Sequence, residues 1–318
     1  MAAAPERYGG RVLETLTGFA VVGVAIAVGY VIGRIDLLGP HARHVLGRLT
    51  FFVLSPFLLF TVLAQADARV LFSALLPVSA IAAVVVIGGY ALIARFVWKR
   101  DAGETVIGAL SAGQVNSNNI GIPLSLYLLG SAAYPAPVIL MQLLVFTPIS
   151  LTILDAVTST RKSSVWRTIG RTASNPIILG SALGTIVSVS GIDLPPIVME
   201  PAVLLANACV PVLLVSYGIS LFGQRVLGTS GHRKDVLLAS TLKLLVMPVI
   251  AWVVAQFVFG LSAHEVLIVV VLAALPTAQN VFNYSQRYDI GEAISRDTVF
   301  ITTIGCVPVL LAATLILG

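Results

Sequence analysis

Long apolar runs alternate with short polar or charged joints along the whole chain. A helix needs roughly 20 mostly apolar residues to cross a bilayer. Runs bounded by charge, Pro or Gly predict ten such spans, near 15–33, 45–65, 70–97, 104–129, 134–157, 174–190, 195–222, 235–260, 262–287 and 291–317. Two of them interrupt their own pattern. The fourth contains GQVNSNNIGIP (113–123) and the ninth contains ALPTAQNVFNYSQRY (274–288). The chain has seven asparagines, and five of them fall in these two segments, where lipid would favour them least.

Composition agrees with the pattern. Of 318 residues, 58% are hydrophobic and 10% charged, against about 25% charged in soluble domains. The fold class is an all-α polytopic membrane protein. The N-terminus carries Arg7 and Arg11 before an apolar run, as a signal peptide would, but no small-residue cleavage site follows, so an uncleaved first span is expected. Cys209 and Cys306 both lie in apolar runs and read as small buried hydrophobes, not a disulfide or metal framework.

Basic residues set the orientation. With ten spans, one side receives Arg34, Arg43, Arg48, Arg95, Lys99, Arg100, Arg161, Lys162, Arg167, Arg171, Arg225, Arg233, Lys234, Arg287 and Arg296, and the other only Arg7, Arg11 and Arg69. The positive-inside rule makes the first side cytoplasmic and puts both termini outside a plasma membrane. The net charge of +5 then reads as a collar facing anionic lipid, with no nucleic-acid partner.

The two halves resemble each other. GRIDLLGP (33–40) recurs as SGIDLPP (190–196). Pro56 matches Pro211, Pro77 matches Pro248, Glu104 matches Glu265, Asn119 matches Asn280, Gly130 matches Gly291 and Pro148 matches Pro308. This order predicts one five-helix repeat over 1–157 and a second over 158–318. An odd span number forces the copies into opposite orientations, the inverted-repeat plan of many secondary transporters.

Pro123 and Pro276 donate no backbone N–H and clash with the preceding turn. Gly113 and Gly121 loosen the chain further. Spans four and nine should therefore break, near Asn118–Pro123 and Pro276–Asn280, and cross near the midplane. Broken backbone at that depth is tolerated only where it lines a cavity or is buried in protein. Half-helix N-termini suit anions, and amides supply neutral donors and acceptors. Asn116, Ser117, Asn118, Asn119, Gln279, Asn280 and Asn283 are the expected substrate-binding residues, with Gly121, Pro123 and Pro276 at the helix crossover. Amides can also serve as interhelical glue; the clustering of five on two broken spans favours a ligand site.

The two motifs, NSNNIGIP and LPTAQNVFNYSQRY, each on the penultimate span of a five-span repeat, resemble the auxin efflux carrier family of membrane transporters, which includes bacterial dicarboxylate and malonate permeases. The resemblance spans essentially the whole chain. It implies a scaffold near 15–65 and 174–222 and a mobile transport bundle near 70–157 and 235–317. It also implies a homodimer and an elevator-like motion that carries a small organic anion. The long cytoplasmic loop of the plant members is missing here, which argues against an auxin substrate.

Intramembrane charge is scarce. No Asp or Glu falls at the centre of a predicted span, which counts against a buried carboxylate relay. Lys243 is the exception, about 12 Å into span eight when counted from Asp235 at 1.5 Å per residue. Its stem could snorkel to the headgroups, or its charge could help bind an entering anion, which places it among the candidate site residues. The sequence has no ATP-binding loop and no metalloprotease motif; neither a cofactor nor a metal is expected, nor an enzyme. The leading expectation is a secondary carrier of small carboxylates. A sodium-coupled symporter similar to the bile-acid carriers and a non-transporting membrane sensor are the alternatives.

Overall fold

The computed structural model describes residues 20–21, 23–65, 74–158, 174, 176–223 and 230–318. Among them the helices are α1 (Gly23–Arg34), α2 (Ala42–Gln65), α3 (Leu75–Val97), α4 (Ala102–Gly113), α5 (Ile122–Leu129), α6 (Ala136–Leu154), α7 (Pro176–Ser190), α8 (Pro196–Leu221), α9 (Arg233–Val258), α10 (Ala263–Ala274), α11 (Gln279–Tyr288) and α12 (Glu292–Leu317). Six of these, α2, α3, α6, α8, α9 and α12, are long and apolar enough to cross a membrane. Their outer faces carry large apolar side chains such as Phe96, Leu204 and Phe257, each about 70% exposed, as expected of a multi-span membrane protein. Arg7, Arg11, Arg69, Arg161, Lys162, Arg167, Arg171 and Arg225, which helped set the expected orientation, lie outside the described residues.

The chain forms two compact units. The first comprises residues 1–73, 118–137 and 173–224. Its described helices pack through glycine. Gly180 and Gly184, four apart on α7, lie against the backbone of Pro56 and Phe60 on α2, leaving no room for a Cβ. Gly29 and Gly218 bring α1 and α8 together in the same way. Small residues at this spacing let helix backbones approach closely, the usual basis of association in lipid. Cys209, buried on α8, has its thiol 3.6 Å from the Ser55 hydroxyl.

The second unit comprises residues 74–117, 138–172 and 225–318. It contains two helical hairpins whose backbone landmarks recur 161 positions apart. At the end of α3, Trp98 N–H donates to Ile93 O and Arg100 N–H to Ala94 O, around Lys99 at φ 54°. At the end of α9, Phe259 N–H donates to Val254 O and Leu261 N–H to Ala255 O, around Gly260 at φ 58°. The next helices start alike. The Asp101 side chain accepts from Glu104 N–H on α4, and Ser262 and Glu265 form a capping box on α10. This register corrects one expected match. Pro77 and Pro248 are 171 positions apart, so Leu238 corresponds to Pro77, and Ala82 to Lys243.

One end of this unit is tied by a buried carboxylate. Asp235, in the first turn of α9, is 0% exposed. It accepts from Tyr90 Oη at 3.2 Å, from Arg100 Nε at 3.1 Å and from Arg100 Nη2 at 2.5 Å. That hydrogen bonding raises the pKa of the Arg100 guanidinium. Asp235 sits at a helix end, as expected; its burial was not foreseen, because Tyr90 and Arg100 lie far away in sequence.

Candidate functional site

Both interrupted spans are broken in the second unit. Helix α4 stops at Gly113, and α10 stops at Ala274. Gln114 and Leu275 follow with extended ψ angles of 133° and 150°. The two extended segments pair as a short antiparallel bridge, Val115 opposite Thr277. Asn116 N–H donates to Pro276 O at 2.8 Å, and Ala278 N–H to Gln114 O at 3.0 Å. The chain thereby satisfies in pairs the backbone groups that each break frees.

The first break lies upstream of where Asn118–Pro123 placed it. A wider π-type turn winds Ser117–Gly121, and Pro123 occupies the first turn of α5. A proline there gives up an N–H that has no intrahelical acceptor, so it starts a helix and does not interrupt one. Gly121 and Pro123 therefore lie beyond the bridge, whereas Pro276 lies within it.

Side chains complete the pairing on both segments. Gln142, from a π-type turn of α6, accepts from Val115 N–H at 3.0 Å and donates to Val115 O at 3.0 Å and to Ser117 Oγ at 3.2 Å. Thr302 Oγ1, from α12, accepts from Thr277 N–H at 3.0 Å. The carbonyls left over at the C-terminal ends of the half-helices also find donors. Thr277 Oγ1 donates to Ser111 O at 2.6 Å. Lys243 Nζ donates to Ala273 O at 2.5 Å and lies 3.4 Å from Met247 Sδ.

Lys243 thus does not snorkel. It is 0% exposed, sits in a π-type turn of α9, and holds its ammonium on the negative end of a half-helix. Local π-type turns often mark functional positions in helices.

The expected site residues fall as follows. Asn116 and Ser117 lie at the bridge and are buried. Gln279 and Asn280 form the first turn of α11, whose N-terminus receives no side-chain cap from Ala278. Gln279 is half-buried, and Asn280 and Asn283 are exposed. Asn118 and Asn119 belong to the other unit, where Asn118 Nδ2 donates to Asn119 Oδ1 at 3.1 Å.

Sequence reading missed three participants. Gln142 stands alone in an apolar run, and Thr302 is an unremarkable threonine in α12. Gln114 belongs to the first motif; it is 2% exposed, and its Nε2 has no hydrogen-bond partner among the described residues. Beside the bridge is a cleft lined among others by Ser79, Gly113, Val115, Gln142, Met247 and Ala273. It is narrow, with room for about one water molecule. Among the described residues, no cluster of three His, Cys, Asp or Glu could hold a metal ion.

Residues 16–314 match the family described as membrane transport protein. The chain is also 25% identical over 290 residues to an uncharacterized transporter of Methanothermobacter thermautotrophicus (strain Delta H), a match covering 88% of this chain and 91% of the relative.

Proposed function

The chain belongs to the membrane transport protein family, the auxin-efflux-carrier-like group that its broken-span motifs resemble, and on that premise we propose that it is a secondary carrier of a small organic anion bound at the crossing of its two broken helices. The observation that carries this reading is the antiparallel bridge between Val115 and Thr277. At the bridge, extended backbone, the uncapped N-terminus of α11 and buried amide side chains lie together. A half-helix N-terminus is partially positive, and Asn280 and Gln279 stand in its first turn. Gln114 supplies a buried amide donor with no hydrogen-bond partner among the described residues. The Lys243 ammonium, held on Ala273 O, adds positive potential, with no carboxylate in ion-pair distance among the described residues. A small carboxylate fits this set of donors, and the narrowness of the cleft means that binding accompanies its widening.

The ten-span, inverted-repeat topology with both termini outside belongs to the same proposal. The landmarks that recur 161 positions apart, and the antiparallel sense of the bridge, support it. In this reading the bundle near 70–157 and 235–317 carries the solute in an elevator-like motion, and the segments near 15–65 and 174–222 form the scaffold that holds a homodimer in the lipid. Asn118 and Asn119 join the site from their place in the motif.

The first test is a thermal-shift screen of purified protein against mono- and dicarboxylates, since a ligand that binds the folded state stabilises it. A stabilising carboxylate that is also taken up by proteoliposomes is the expected result. A panel in which no carboxylate stabilises the protein or is transported would overturn the proposal. Uptake with and without a sodium gradient separates a sodium-coupled symporter from the other mechanisms.

A further inference from the structure

The two half-helix ends at the crossing are closed by chemically different groups. At α4, Ser111 O receives the neutral hydroxyl of Thr277 at 2.6 Å. At the end of α10, one residue nearer the break, Ala273 O receives the ammonium of Lys243 at 2.5 Å. A hydroxyl therefore suffices to close such an end, while a fully buried lysine at this depth is costly. Among the described residues, no carboxylate lies within ion-pair distance of Lys243. What it meets includes a helix-end carbonyl, a thioether sulfur at 3.4 Å, the nearby Cys306 thiol and the macrodipole of α10. Ala273 and Met247, its hydrogen-bond partners among the described residues, both line the cleft.

We propose that Lys243 is a tethered counter-cation: its ammonium fills a carbonyl-ended site at α10 that suits a small monovalent cation, so that no free ion is needed there, and truncating the side chain uncovers a site for an alkali or small alkylammonium ion. The inference concerns the crossing of the proposed carrier, and its test uses no carboxylate, so its failure and that of the transport reading are distinguishable. Lys243 is a positioning residue in this account. It holds the end of α10, and thereby the bridge, in place for a ligand.

The experiment measures the melting temperature of purified parent and Lys243→Ala at constant ionic strength in choline, sodium, potassium or ethylammonium chloride. Choline is too large for the uncovered site and serves as the reference. Lys243→Ala is expected to melt lower than the parent in choline and to gain about 3 °C or more in ethylammonium or sodium, while the parent gains nothing. Thr277→Val, which removes the neutral cap, is expected to melt lower with no response to cations. A Lys243→Ala protein that responds to no cation more than the parent does would overturn the proposal. Lys243→Met decides the matter if Lys243→Ala yields no folded protein, because it keeps the volume and removes the charge. A parent-like melting temperature for Lys243→Met in choline overturns the proposal, and a lowered one unmoved by cations supports it.

Discussion

Replacing Gln142 by Met keeps the length of the side chain and removes every hydrogen bond it makes to the crossing. Val115 N–H, which now donates to Gln142 Oε1 at 3.0 Å, is left unpaired at bilayer depth. Val115 O loses the bond from Nε2 but keeps the one from Ser117 N–H at 2.8 Å, and Ser117 Oγ loses its donor. An unpaired buried N–H costs about 1–3 kcal/mol, and the two bonds donated by Nε2 are worth about 0.5–1.5 kcal/mol each. The total is about 2–6 kcal/mol. At about 2–4 °C per kcal/mol for a chain somewhat shorter than this one, Gln142→Met should melt at least about 4 °C below the parent. Leu144→Met, on the outward face of the same helix and 49% exposed, is the control and should stay within about 0.5 kcal/mol of the parent. The assay is thermal unfolding of detergent-purified, monodisperse protein followed by circular dichroism. If Gln142→Met melts within 1 °C of Leu144→Met, with about 1 °C taken as the resolution that separates these costs, the bridge is not held by Gln142 and the geometry argued for the crossing is wrong.

Arg100→Ala should cost about 3 kcal/mol, the lower end for breaking a buried ion pair, because it leaves the fully buried Asp235 carboxylate with Tyr90 as its remaining side-chain donor; chemical denaturation of the variant checks this, and Asp235→Asn should cost less. A single cysteine at position 318, in a chain whose Cys209 and Cys306 are replaced, should react with a membrane-impermeant thiol reagent applied from outside. Labelling only after permeabilisation would reverse the proposed orientation.

Much of the helical organisation was legible because apolar runs and their boundaries are set by solvation alone. The existence of the two breaks was legible for a similar reason: asparagine, glycine and proline crowded together inside an apolar run work against a continuous helix. Their position was harder to read. Pro123 drew the expected break downstream, yet a proline in a first helical turn is harmless, and the chain leaves the helix at Gly113 instead. The closures of the crossing were not legible, because each partner is distant. Gln142 reaches Val115 27 positions away, and Lys243 reaches Ala273 30 positions away. A lone glutamine in an apolar run carries no sign of which carbonyl it will meet. A lysine near a helix end looks like a snorkelling lysine until the neighbouring half-helix is in place. Asp235 shows the same limit, since its terminal position was readable and its burial under Tyr90 and Arg100 was not.

The central claim is that a carboxylate binds where the broken helices cross, and calorimetric titration tests it most directly. The ligand is the carboxylate that stabilises the purified parent in the screen, and the variants are Asn280→Ala, Asn119→Ala and Asn207→Ala, each checked for monodispersity. Asn207 is exposed on α8, away from both motifs in the sequence. A hydrogen bond to a charged group is worth about 1.5–3 kcal/mol, and 1.4 kcal/mol is about a decade in Kd. Asn280→Ala and Asn119→Ala should therefore each raise Kd by about ten-fold or more, while Asn207→Ala leaves it unchanged. Folded Asn280→Ala and Asn119→Ala proteins that bind the carboxylate as tightly as the parent would contradict the account.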